Sequence, residues 1–94
     1  MPRIIVHHTV KDFAQWKKVF AQHVPLRKAA GFTKSRIFQK MDDPQHVTVQ
    51  LDCIDIKKAK AFMQSPDLPD AMKKAGVVSV PIVYFLNDGE TLEG

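Results

Sequence analysis

Six stretches of this 94-residue chain switch between two hydrophobic periods, and their order leaves few folds open. Arg3 to Val10 is rich in β-branched residues and alternates, the pattern of a strand. Asp12 then offers an N-cap, with Gln15 at capping-box spacing. A helix follows to about Ala30, where Gly31 supplies a left-handed stop. Pro25 lies inside that helix and should kink or loosen it near His23-Val24. Phe32 to Met41 reads as a second strand, Asp42-Asp43-Pro44-Gln45 as a turn, and His46 to Ile54 as a third strand completing a hairpin. Asp55 caps a second helix, which pauses over Ser65-Pro66-Asp67-Leu68-Pro69, resumes from Asp70 to Ala75 and closes at Gly76. Val77 to Leu86 is the last strand, and Asn87-Asp88-Gly89 turns the chain into a polar tail. Residues 1–86 are thus expected to form one domain and residues 87–94 a tail.

The order β-α-β-β-α-β implies an α+β, ferredoxin-like fold: a four-stranded antiparallel sheet with both helices on one face. Such a sheet usually leaves its second face to water, and its strands then alternate apolar and polar. The third strand obeys, with Val47, Val49, Leu51 and Cys53 opposing His46, Thr48, Gln50 and Asp52. The last strand does not. Val78, Val80, Ile82, Tyr84 and Leu86 fill one side, while Val77, Val83 and Phe85 fill the other. Apolar surface left wet costs about 25 cal/mol per Å², so the second face calls for a cover. A chain this short buries only a modest core of its own, and a C2 homodimer through the sheet face supplies the cover most economically.

Composition closes other routes. A lone Cys53 excludes an intramolecular disulfide and a cysteine-based zinc site. The four histidines lack metal-ligand spacing and no carboxylate cluster adjoins them, so no metal site is expected. No apolar run approaches the ~20 residues of a membrane span. The opening Met-Pro-Arg-Ile-Ile-Val has neither the h-region nor the cleavage site of a secretory leader, so the expected compartment is the cytoplasm. The net charge of +4 conceals an asymmetry: through Leu86 there are fourteen basic and seven acidic residues, while Asp88, Glu90 and Glu93 crowd the tail. RNA-recognition domains share this element order, but they stack bases on aromatics of the central strands, and the third strand has none; nucleic-acid binding is not expected. P-loop, G-x-G-x-x-G, G-x-S-x-G and Cys-x-x-Cys patterns are all missing, so no cofactor is expected.

The residues that can carry chemistry gather on the first helix. At 100° per residue Phe13, Trp16, Phe20 and Val24 form one stripe, and His23 and Arg27 share it. An arginine on a buried face needs a partner. One reading points Arg27 and His23 into a cavity between helix and sheet, where Arg27 binds an anionic or carbonyl-bearing ligand through its planar donor fork. The other has Pro25 reset the helical phase, so that Arg27 snorkels at the helix end. His7 and His8 point to opposite sides of their strand, and His8 shares the phase of Ile4, Val6 and Val10. There it can meet His23 as a general base or clamp, or be a satisfied core histidine. Tyr84 sits on the apolar phase of its strand, as a polar contact in the cavity or as a core tyrosine; Trp16 is a ligand contact or core. His46, beside the turn, is expected to be exposed.

The stretches Val10-Lys11-Asp12-Phe13-Ala14-Gln15-Trp16, Arg27-Lys28-Ala29-Ala30-Gly31-Phe32, Ala61-Phe62-Met63-Gln64-Ser65-Pro66-Asp67-Leu68 and Met72-Lys73-Lys74-Ala75-Gly76-Val77 resemble the dimeric α/β-barrel superfamily, the antibiotic-biosynthesis-monooxygenase-like proteins. The resemblance spans nearly the whole chain. It implies a dimeric barrel and a pocket for a small molecule. It also implies, as an alternative to simple binding, cofactor-independent monooxygenase, isomerase or cyclase chemistry on a small carbonyl- or carboxylate-bearing compound. The superfamily's monooxygenase-type sites use Asn, Trp and His or Tyr; the only Asn here is Asn87, beyond the last strand. From the residues and the resemblance together, the expected site comprises His8 and His23 as catalytic groups and Arg27, Tyr84 and Trp16 as ligand contacts.

Overall fold

The computed structural model describes residues 2–94. Its elements are β1 (Arg3–Thr9), α1 (Phe13–Gln22), α2 (Val24–Ala29), β2 (Phe32–Lys40), β3 (Asp43–Cys53), α3 (Ile56–Met63), α4 (Leu68–Lys74) and β4 (Ile82–Leu86). The four strands form one antiparallel sheet in the order β2-β3-β1-β4. This is the ferredoxin-like α+β arrangement expected from the element order. Gly31 and Gly76 follow α2 and α4 with φ of 89° and 90°, the left-handed stops that residues with a Cβ rarely supply.

Each expected helix is cut in two, and proline explains both cuts. Pro25 has no N–H and is seated in the first turn of α2, so the chain restarts a helix at Val24 rather than bending one through His23. Likewise Pro69 sits in the first turn of α4, which begins at Leu68 instead of Asp70. Side chains cap both longer helices. Asp12 accepts from the Gln15 N–H at 3.2 Å, and Asp55 accepts from the Lys57 N–H at 2.9 Å. No bond returns from the Gln15 side chain among the described residues, so the capping box is half made.

Two strand boundaries also differ from the expectation. The β2–β3 hairpin is tighter, turning at Met41-Asp42 with Lys40 opposite Asp43. The last strand is half its expected length because Pro81 cannot donate to the ladder. Before it, the chain reaches β1 only at a Val10–Val77 bridge, a Val78 N–H to Thr9 carbonyl bond of 2.9 Å, and the Ser79 hydroxyl, which accepts from the Thr9 N–H at 2.8 Å. Val78 and Val80 are exposed loop residues, not part of a strand face.

Strand register sorts the rest. Ile4 opposes Leu51 and Phe85, and Val6 opposes Val49 and Val83, placing these on the helix-covered face. The core sits there, with Ile4, Val10, Val47 and Cys53 fully buried, Phe32 of β2 buried beside them, and Trp16 and Ala59 closing it from the helix side. On the outer face Ile5 opposes Tyr84 and His7 opposes Ile82. Ile82, Tyr84, Leu86 and Phe38 remain exposed there. Residues 87–94 carry no regular secondary structure.

Candidate functional site

Between the sheet and the helix layer lies a cavity of about 90 Å³. β1 contributes Val6 and His8, and β3 contributes Val49 and Leu51. Trp16 and Phe20 come from α1 and Arg27 from α2, with His23 at the break between them. α3 and α4 close the far side with Phe62, Met63, Leu68, Ala71, Met72 and Ala75. Leu68, Ala71 and Met72 of α4 and its C-cap Ala75 have the i, i+3, i+4, i+7 spacing of one helical face, a signal present in the sequence. His23 and Ala71 also line two adjoining surface hollows, so they stand at the rim.

Four of the five expected site residues, His8, His23, Arg27 and Trp16, meet at this cavity. Tyr84 does not. It pairs with Ile5 on the outer face, where it is half exposed, because β4 runs in the register that turns Val83 and Phe85 inward. His46 corrects a smaller expectation: it is half-buried on the outer face, its ring 6.0 Å from that of His7. Val24 leaves the α1 stripe and is exposed, since the helix breaks before it.

The polar groups of the cavity are tied together by aromatic rings. His8 meets Trp16 edge-on with centroids 5.4 Å apart, and Trp16 stacks on Phe20 at 5.0 Å. The Arg27 guanidinium lies over the Phe20 ring, 3.6 Å from its centroid. His8 is 4% exposed, and its Nδ1 is buried with no hydrogen-bond partner. Burial, reinforced by the charges of His46 and His7, lowers the His8 pKa below 6.5, so the ring is neutral at neutral pH. Arg27 is 8% exposed, and among the described residues no hydrogen bond or ion pair reaches its guanidinium. Its pKa is lowered by burial. Pro25 therefore resets the helix without releasing Arg27 to solvent. His8 and His23 share the cavity, but no hydrogen bond joins them among the described residues.

No protein-family model matches the chain, and no curated protein is similar to it at a significant level. Solved structures are similar in shape. An antibiotic-biosynthesis-monooxygenase-like protein of Bordetella bronchiseptica superposes with a TM-score of 0.76 at 22% identity, over 97% of each chain. SnoaB, a cofactor-independent oxygenase from Streptomyces nogalater, gives 0.71 at 15% identity, over 99% of this chain and 97% of its own. A related protein of Nitrosomonas europaea gives 0.67 at 17%, over 94% and 98%. The fold is the one seen in these antibiotic-biosynthesis-monooxygenase-like structures. At these identities the likeness establishes the architecture of the chain, and the chemistry must be argued from the cavity. No helix among the described residues is long and apolar enough to cross a membrane.

Proposed function

We propose that this chain is a small-molecule-binding protein of the dimeric α/β-barrel type, whose helix–sheet cavity receives a compound bearing a carboxylate or carbonyl group. One observation carries the reading. Arg27, a largely buried cation with no ion pair among the described residues, and His8, with an unpartnered Nδ1, line the same mostly apolar cavity. A core built only for stability would satisfy these groups or replace them with hydrocarbon. The volume of about 90 Å³ equals roughly three liquid-water volumes, so it holds a small molecule or the polar head of a larger one extending past His23. Trp16 and Phe20 supply a flat aromatic wall for such a ligand.

A second reading is favoured by the neutral state of His8. An imidazole uncharged at neutral pH beside a cationic anchor can accept a proton from an acidified carbon or hydroxyl, as a cofactor-independent monooxygenase, isomerase or cyclase requires. SnoaB, which shares the fold, is a cofactor-independent oxygenase. His23, at the rim, would serve as the second catalytic group.

The outer face supports a homodimer. Ile82, Tyr84, Leu86 and Phe38 form an exposed apolar surface that a second copy covers by a twofold contact. Static light scattering at micromolar concentration is expected to give twice the chain mass; a monomer mass overturns this part.

Arg27→Met tests the cavity. Native mass spectrometry of freshly purified protein is expected to show a retained small molecule in the wild type and at least about a tenfold loss of retention in the variant. Removing an unpaired buried charge should leave stability unchanged or raised by about 1 kcal/mol. Equal retention by both proteins would sink the binding reading.

A further inference from the structure

Arg27 has a second side that the cavity does not use. A surface hollow of about 330 Å³ lies between α1, α2 and β2, and Phe20 and Arg27 line both the hollow and the cavity. The Phe20–Arg27 pair is therefore a wall shared by two spaces. Around the hollow stand Lys17 of α1, Lys28 of α2 and Lys34 of β2, with the Thr33 and Ser35 hydroxyls between them. No Asp or Glu lines it. Elsewhere Arg3 pairs with Asp52 at 2.9 Å and Lys40 with Asp42 at 3.6 Å. Among the described residues no ion pair reaches Lys17, Arg27, Lys28 or Lys34.

Four like charges around one hollow repel one another, and one of them is nine-tenths buried. An exposed lysine needs no partner, because water solvates it. Arg27 adds its charge to the hollow from the wall that the two spaces share. We propose that this hollow is an anion site for a phosphoryl group of the diphosphate type, distinct from the ligand cavity. A carboxylate brings a single negative charge and leaves most of the ring uncompensated. A diphosphate brings several, together with acceptor oxygens for the Arg27 fork, the lysine ammoniums and the Ser35 hydroxyl. Thr33 already donates its hydroxyl to the Asp52 carbonyl at 3.4 Å, whereas no hydrogen bond occupies that of Ser35 among the described residues. Because the guanidinium serves as wall to both spaces, an anion in the hollow draws it off Phe20. Phe20 stacks on Trp16, so the single tryptophan reports the event.

The test is a titration of inorganic pyrophosphate into the full chain, followed by calorimetry and by Trp16 fluorescence. Saturable one-site binding with a fluorescence change is expected. Lys28→Gln combined with Lys34→Gln should weaken it by about tenfold or more. Lys57→Gln combined with Lys60→Gln removes the same charge from α3, outside the hollow, and should leave the affinity within about twofold. A parallel titration with adenosine diphosphate separates the sources: equal affinity assigns the site to the inorganic group, tighter binding to a phosphorylated organic molecule. Equal weakening by both lysine pairs, or no saturation with either probe, overturns the proposal. Tighter binding of a mixed-sequence RNA oligonucleotide than of pyrophosphate also overturns it, in favour of a nucleic-acid surface. All of these variants retain Arg27 and His8, so a failure here is distinct from a failure of the cavity reading.

Discussion

His7 and His8 are adjacent and chemically identical, yet the pleat of β1 delivers them to opposite surroundings. His7 faces outward, half-buried, with its Nδ1 2.8 Å from the Thr48 hydroxyl and its ring edge-on to Tyr84 at 6.0 Å. His8 faces inward against Trp16, with Nδ1 buried and unpartnered. The contrast extends to the two faces as wholes. Inside, apolar groups are covered while Arg27 and His8 lack partners; outside, Arg3 and His7 have partners while Ile82, Tyr84 and Leu86 lie bare. What each face lacks is what the proposed occupants would supply: a polar ligand in the cavity and a second copy's apolar surface against the sheet.

The largest expected effect lies on the inner side. Trp16 is 3% exposed and holds His8 and Phe20 at once. Trp16→Ala should cost about 3–5 kcal/mol in urea unfolding, a large share of what a domain of this size commands, and Trp16→Phe much less. A loss under 1 kcal/mol for the alanine variant would mean that the cavity wall is not part of the core. Next comes the outer side. In a dimer, Tyr84→Asp sets an unpaired carboxylate on each side of the contact, so the dissociation constant should rise by thirtyfold or more, about 2–4 kcal/mol, by sedimentation equilibrium. The monomer's own fold should hold, since Tyr84 is 52% exposed. If Tyr84→Asp unfolds the monomer instead, the two faces are not independent.

How much of this was legible in the residues follows from which signals are local. Strand alternation placed His8 inward and His7 outward, because it depends only on spacing along one element, whereas Trp16, His23 and Arg27 line one cavity although the helix breaks between them. Glycine stops at Gly31 and Gly76 were equally local. Tyr84 was misplaced because its apolar strand offers two apolar faces, and only pairing with Ile4 and Val6 decides which turns inward. Pro81 was the neglected cue: it confines β4 to Ile82–Leu86 and removes Val78 and Val80 from the pattern that had weighted that face. The Phe20–Arg27 stack and the lysines around the hollow belong to α1, α2 and β2 together, and no period within one segment shows them.

The smallest effect separates the two histidines most directly. Burial depresses the His8 pKa in the folded protein below its ordinary 6.5, while the unfolded chain titrates at that ordinary value. Below that pH the unfolded state binds the proton first, so His8 opposes folding progressively as pH falls towards its depressed value. Its neutral form imposes no such penalty above 6.5. Urea unfolding from pH 8 to pH 5 should therefore show stability falling with pH across that window, and His8→Gln should flatten the fall. His7→Gln loses the Thr48 hydrogen bond, about 1 kcal/mol, and should leave the His8-dependent slope in place. A slope that survives His8→Gln and disappears with His7→Gln would reverse the assignment of the two faces, and with it the case that the unpartnered imidazole belongs to the cavity.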